Sequence, residues 1–316
     1  MRVILILSYM LYIPFESFAK VYDCFTFFNE LELLKMRLEE LNDHVDYFVL
    51  VEGVETHRGE PKPLYFQENR HLFKKYLPKI IHIIVKEKFL CNQKDLIKGF
   101  WHREHFQREC VARGLKNCEH LDIILISDLD EIPCTEILGK VKKQLSFTKS
   151  KNFNSHRKYK RRKHKPEELA RSTHNTLAFH MPWFIYQLNR KHNWDNGNEW
   201  VGTVATLYGN FKKKGAQFFR EYRWHFPLVA KAGWHFTYMG GKDRIRQKLS
   251  SIVEGRDDIF SISDEEIESW IQEQIAVPID DTFPKYVIEN RDYLKSMGFI
   301  AECTQKKKKR IFFLTC

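Results

Sequence analysis

Three carboxylates, Asp128, Asp130 and Glu131, fall within four residues at the end of the apolar run in LDIILISDLDEIP (Leu121–Pro133). Carboxylates are hard oxygen donors. Two aspartates one residue apart at a strand end suit a divalent cation, Mg²⁺ or Mn²⁺, one holding it directly and one through water. Such a cation binds a diphosphate in turn and neutralises charge on a departing nucleotide. A bare D-x-D pair also describes a solvated loop after a strand. Phosphoryl transfer with the first aspartate as nucleophile is a rival chemistry, but its motif has Thr or Val after the acid pair and opens the chain. Here Glu131 follows and the motif lies mid-chain.

The elements that must position these acids alternate in type. KVYDCFTFF (Lys20–Phe28) reads as a strand. NELELLKMRLEELND reads as a helix, with Asn29 as cap, Glu32 as its capping-box partner and Leu31, Leu34, Leu38 and Leu41 on one face. VDYFVLVEG (Val45–Gly53) is apolar enough for a buried parallel strand and ends at Glu52. KIIHIIV (Lys79–Val85) reads as another buried strand, WHREHFQRECVARGL as a helix and DIILIS as a strand. The alternation predicts an α/β fold with a mostly parallel central sheet. Ligands sit beyond the carboxyl ends of such strands, where Glu52 and the Asp128/Asp130 pair fall. In the second half LAFHMPWFIYQLN, NEWVGTVATLYGNF and AGWHFTYMGG read as strands, KDRIRQKLSSIVEG and DEEIESWIQEQI as helices.

FNELELLKMRLEELNDHVDYFVLVEG, GEPKPLYF, ISDLDEIP, LAFHM, AGWHF and PKYVIEN occur in that order. Together they resemble glycosyltransferase family 17 over Val21 to Leu294. The resemblance implies a GT-A-like nucleotide-sugar fold, a UDP-GlcNAc donor, a divalent metal, and inverting transfer of N-acetylglucosamine in β-1,4 linkage to a mannose of a glycan. It implies that Asp128 and Asp130 hold metal and UDP, with Glu131 in the same motif. Glu52 matches the acid ending the second strand, a contact for uridine or ribose, or else a structural loop acid. His235 is a candidate third metal ligand, since neutral imidazole suits Mn²⁺; a hydrogen-bonded histidine beside Trp234 is the alternative, and His180 poses the same choice. Trp234 either supports the sugar or packs in the core. Arg103 and Arg108 match the family and are candidates for the diphosphate, while Glu104 and Arg108 are also spaced to pair along a helix. Inversion in one displacement needs a general base. Asp243, after a double glycine, is the first candidate and Asp281 the second; Asp243 also suits the N-terminal turn of a helix. At Glu254 the chain departs from the resemblance, which implies a histidine there in many family members, and no role attaches to it.

Composition bounds the rest. The 316 residues are 43% hydrophobic and 29% charged, a globular balance that excludes wholesale disorder. Aromatic residues make up 14%, an excess that suits sugar or base stacking as well as a core. Seven cysteines, an odd number without CxxC spacing, indicate neither a disulfide framework nor a zinc site. The net charge of +11 draws on Lys149–Lys165, a basic run without apolar periodicity. It reads as a loop insertion over residues 149–171 of a single domain spanning 20–300, before a basic tail at 301–316. Such a run suits an anionic membrane surface. It holds only Phe153 and Tyr159 as stacking rings, so no specific nucleic acid partner is expected. Residues 1–19 carry a basic start, a short apolar run and small residues at Ser17 and Ala19, as in a signal peptide or short anchor; a first buried strand is the alternative. These features place the chain in the secretory pathway or at a membrane, its cytoplasmic face included. Two other functions fit the sequence: a same-fold transferase for a lipid-linked or surface polysaccharide, and a non-catalytic polyanion- or glycan-binding protein.

Overall fold

The computed structural model describes residues 19–88, 95–146, 175–193 and 199–303. The N-terminal apolar run, the basic run at 149–165 and residues 304–316 lie outside the described residues, as do Cys91 and Cys316.

Four strands of the first half form the parallel part of the sheet: β1 (Val21–Phe27), β2 (Tyr47–Gly53), β3 (Ile80–Val85) and β4 (Ile123–Asp128). Their order is β4-β1-β2-β3. They alternate with the helices α1 (Leu31–Leu41), α2 (Tyr65–Glu68) and α3 (Leu96–Glu109). After β4 come the short β5 (Glu131–Pro133), α4 (Thr135–Ser146), β6 (Thr176–Ile185), β7 (Arg190–Lys191) and β8 (Glu199–Leu207). Next are α5 (Tyr208–Glu221), β9 (Leu228–Val229), β10 (Gly233–Thr237), α6 (Gly241–Leu249), α7 (Asp264–Gln272), β11 (Ile275–Ala276), α8 (Lys285–Glu289) and α9 (Arg291–Ser296).

The α/β class holds, but the sheet is mixed rather than mostly parallel. Strand β8 runs antiparallel to β4, and β6 antiparallel to β8. Beyond β6 the sheet continues through the antiparallel β7 and β11, while β10 joins β6 in parallel and β5 in antiparallel fashion. Residues 201–207 are buried on both faces, Thr203 and Thr206 included. That pattern marks burial, not direction, so the antiparallel half was not legible as such. Other expectations shift as well. Strand β3 is an edge strand, with only Val85 buried. The run NEWVGTVATLYGNF is a strand only as far as Leu207, where α5 begins. The capping box does not form: Glu30 precedes α1 without a side-chain cap bond, and Asn29 instead donates its amide to Gln247, 2.7 Å away.

Both faces of the sheet are covered. On β1, Val21, Phe25 and Phe27 join one core with Leu33, Leu34, Leu38 and Leu41 of α1. Tyr22 and Cys24 point the other way, into a core with Phe211 and Phe219 of α5. The period of two then decides what reaches the end of β4. Ser127 faces α1, and Asp128 faces α3 and α5.

Candidate functional site

A cleft of about 460 Å³ opens at the carboxyl ends of β1 and β4, a size usual for small-molecule sites. Asp128, Leu129 and Asp130 form part of its lining.

The turn carrying these acids is held from beneath by Arg37. It sits on the apolar face of α1 and is fully buried. Its Nε and Nη2 donate to both oxygens of the buried Asp23, at 2.7 and 2.6 Å, and Nη2 also donates to the Ser127 hydroxyl. Its Nη1 donates to the carbonyls of Asp128, Leu129 and Glu131, at 3.1, 3.0 and 2.8 Å. One guanidinium thus fixes the backbone of the turn, leaving the aspartate side chains to the cleft.

The three acids then part company. Asp128 accepts from Arg220 at 2.6 Å and from Arg108 at 3.3 Å. Burial opposes its ionisation, yet the charges of Arg220, Arg108 and Arg223 outweigh it and hold the carboxyl well below the usual range. Glu131 is fully buried. It accepts from both terminal nitrogens of Arg220, at 2.7 and 3.0 Å, and from the Trp200 indole at 2.6 Å. It is an anchor for Arg220, and Gly202 admits it: a Cβ there would sit 3.0 Å from its carboxyl carbon. Asp130 accepts from Lys248 at 2.8 Å, and its other oxygen faces His235 Nε2 at 3.6 Å. Burial works against its charge too, but Lys248 and His235 lower its pKa.

His235 arrives by sheet register. In the β10–β5 ladder it lies opposite Glu131, and the neighbouring Phe236 N–H bonds the Asp130 carbonyl at 2.8 Å. Its ring packs against Trp183 and Trp200, with centroids 5.6 and 4.7 Å away, and the two indoles stand 5.2 Å apart. Burial pushes the imidazole pKa down against the pull of Asp130 and Glu131. Trp183 also stacks on His192, and Trp200 carries the Arg223 guanidinium 5.2 Å from its ring. Both half-buried indoles pack against His235 and also line the cleft.

The cations come from α3, α5 and α6. On α3, Arg108 pairs with Glu104 at 2.6 Å, the expected helical spacing, and reaches Asp128 as well. On α5, Gly215 breaks the helix at φ 78°. The Glu109 carboxylate then caps the new start, accepting from the Ala216 and Gln217 N–H groups at 3.0 and 2.8 Å. A Cβ at Gly215 would meet that carboxylate at 2.6 Å. The restarted helix carries Arg220 into the cleft, and Arg223 follows it. Arg223 donates to the Val201 and Arg220 carbonyls, at 2.8 and 2.6 Å, and no carboxylate pairs with it among the described residues. Burial and the adjacent Arg220 bring its pKa down to about 10. It is a cation short of a counter-ion.

The other sequence candidates lie elsewhere. Glu52 is fully buried; it accepts from the Phe66 N–H at 2.9 Å and meets His82 at 3.0 Å. It is enclosed as a loop anchor and does not line the cleft, although Lys62, 3.8 Å from it, does. Arg103 pairs with Glu55 at 3.5 Å and packs under Gly59, in a small neighbouring hollow. Asp243 is fully exposed in the first turn of α6, beside Arg246, and Asp281 is exposed too. Neither lines the cleft. Trp234 packs against the core and donates to the Thr282 carbonyl. His180 sits at a bulge between β6 and β8.

A divalent cation has a partial fit here. Asp130 and His235 place an oxygen and a neutral nitrogen face to face, too far apart for a hydrogen bond. Asp128 is taken by two guanidiniums, and no group of three His, Cys, Asp or Glu side chains that could hold a metal occurs among the described residues. Two protein ligands suffice for an ion completed by substrate phosphates and water.

The site thus joins paired acids and buried cations at the carboxyl edge of a mixed α/β sheet, an arrangement suited to an anionic ligand. Residues 12–150 match the model of Glycosyltransferase family 17. Beta-1,4-mannosyl-glycoprotein 4-beta-N-acetylglucosaminyltransferase of Rattus norvegicus is 31% identical over 127 residues, 39% of this chain and 23% of that protein. The proteins of that name from Homo sapiens and Mus musculus are 31% and 30% identical over the same length. The chain thus spans about a quarter of the length of these relatives. Asp128, Asp130 and Arg108 fall inside the matched region; Arg220, Arg223, His235 and Lys248 fall beyond it.

Proposed function

We propose that this chain is an inverting glycosyltransferase that moves N-acetylglucosamine from UDP-GlcNAc in β-1,4 linkage to a mannose of a glycan. The observation that carries this reading is the Asp128/Asp130 pair in a cleft ringed by Arg108, Arg220, Arg223 and Lys248. The name of the relatives supplies the sugar, the linkage and the mannose.

In this reading the acids divide their work. Asp130 and His235 hold a divalent ion, Mn²⁺ or Mg²⁺, which when bound neutralises charge on the leaving diphosphate. Asp128 and Glu131 hold Arg220 in place, and Arg108 stands beside it. Arg223, already desolvated and without a carboxylate partner, binds a phosphate oxygen of the donor. The rigid Arg37-bound turn keeps these groups in place before the donor arrives, which is where electrostatic stabilisation gains its effect. The same reading puts the chain in a secretory or membrane-associated setting. Among the described residues, no helix is long and apolar enough to cross a membrane.

The deciding experiment is UDP release with Mn²⁺, measured over several UDP-sugars with mannose-terminated oligosaccharides and with lipid-linked or polysaccharide acceptors. Turnover with UDP-GlcNAc and a mannose acceptor is expected. Release from no UDP-sugar sinks the reading, and activity on the other acceptors alone moves the chain to that substrate class. Arg223→Ala should raise the KM for UDP-GlcNAc about 10- to 100-fold, the loss of a charge-assisted hydrogen bond, and lower the melting temperature as the Val201 and Arg220 carbonyls lose their donor. Arg223→Lys should recover only part of it, since an ammonium cannot keep both carbonyl bonds and the ring contact. An unchanged KM in both variants would remove Arg223 from the donor site.

A further inference from the structure

We propose that Glu254 is the base that takes the proton from the acceptor hydroxyl. This rests on the transferase reading above.

A base in the cleft needs a free lone pair, access to the acceptor, and no standing bond to a cation. Most cleft carboxylates fail this test. Asp128 is held by Arg220 and Arg108, Asp130 by Lys248, and Glu104 by Arg108. Glu30 lies 3.3 Å from Lys248, and Glu55 3.5 Å from Arg103. Two lining carboxylates have no cation partner among the described residues, Glu221 and Glu254. Glu221 ends α5 at the rim, near His105. Glu254 lines the same cleft as Glu104, Asp128 and Arg108, whose charges act on it. It sits in the turn after α6, six residues beyond the Lys248 that holds Asp130, so one short segment carries both the donor-side lysine and the base. The residue is open to solvent, so an acceptor can reach it. Partial burial, and then the like charges of Glu104 and Asp128, raise its pKa above the ordinary glutamate value. A carboxylate so placed is a stronger base than one in water. Asp243 and Asp281, the candidates from sequence, point to solvent outside the cleft.

The step balances as one displacement. The acceptor oxygen forms a bond to the anomeric carbon as its proton passes to the Glu254 carboxylate. The bond from that carbon to the diphosphate breaks, and its electron pair leaves with UDP. The products are the glycoside, UDP and a protonated Glu254, which returns its proton to solvent.

The test compares wild type, Glu254→Gln, Glu254→Asp, Glu221→Gln and Asp130→Ala. UDP-GlcNAc binding with Mn²⁺ is read by calorimetry. Transfer to a mannose-terminated oligosaccharide and hydrolysis of the donor by water are read by UDP release, each against pH. Glu254→Gln should lower kcat for transfer and hydrolysis about 10²- to 10⁴-fold, with donor affinity within a few-fold of wild type. The acid limb of the wild-type pH profile should vanish from its residual rate. Glu254→Asp should keep that limb at reduced kcat, and Glu221→Gln should behave as wild type. Residual activity of Glu254→Gln within about threefold of wild type overturns the assignment, as does a loss that follows Glu221 instead. Lost donor binding in Glu254→Gln also overturns it. Failure of wild type itself to bind any UDP-sugar strikes the transferase reading, a separate result.

Discussion

Arg37→Ala is expected to lower unfolding free energy by about 3–5 kcal/mol, the usual effect of breaking a buried ion pair from one side, and to abolish donor turnover in whatever fraction still folds. Asp23 would be left charged in a fully buried site, and the carbonyls of Asp128, Leu129 and Glu131 would lose their shared donor. Urea unfolding measures the first effect, and Mn²⁺-dependent UDP release the second. The double variant Arg37→Met with Asp23→Leu separates them. It removes the orphaned charge and should regain much of the stability. It still lacks a donor for the three carbonyls, so its turnover should stay low. Full activity in the double variant would show that the turn holds its shape without the arginine.

Asp130→Ala is expected to cut UDP release about 10²- to 10³-fold, as for loss of one preorganised electrostatic group, and to weaken Mn²⁺ affinity in the presence of UDP. Asp128→Asn should leave Mn²⁺ affinity within a few-fold while lowering turnover, because its carboxylate is occupied with Arg220 and Arg108. Equal loss of Mn²⁺ affinity in both variants would return Asp128 to the ligand set. Acid stability should move with Asp130 as well. Its folded pKa lies below the ordinary carboxylate value. As pH falls, the unfolded chain takes up the proton first. The stability linked to this shift is therefore complete above about pH 4 to 5, and is lost as pH drops towards the folded value. Asp130→Ala should show a shallower acid loss than wild type in unfolding followed from pH 6 to pH 3.

Much of this was legible in the chain. Strands β1, β2 and β4 and the helix between β1 and β2 declared themselves by alternation and by apolar runs, because both faces of that parallel half are buried. The acids at the end of β4 followed from their spacing. Their partners did not. Arg37 shares the helical face of Leu34, Leu38 and Leu41, and a lone arginine on an apolar stripe is a signal that a buried acid awaits it. Arg220 and Arg223, in FFREYRWHF, lie among aromatic residues, but only the break at Gly215 turns them into the cleft. A one-residue conformation of that kind leaves little trace in a periodic pattern. His235 was picked out by its residue type, yet its place beside Asp130 comes from the β10–β5 register, a pairing across distant sequence. Asp243 and Asp281 show the converse: suitable acids in suitable motifs, held away from the cleft by the turns that carry them. Glu254 carried a hint of its own in the departure at that position.

The order of the sheet has a practical side. In the family-matched region β4 has a neighbour on one side only, and its other edge is closed by β8, from beyond residue 150. A fragment ending near residue 150 would expose that edge, a row of unpaired backbone groups on an apolar strand, and such edges recruit other chains. It would also carry Glu131 and Asp128 without Arg220. Insolubility of that fragment would thus follow from a missing neighbour rather than from a wrong boundary, and co-expression with the remaining half is the remedy the topology suggests.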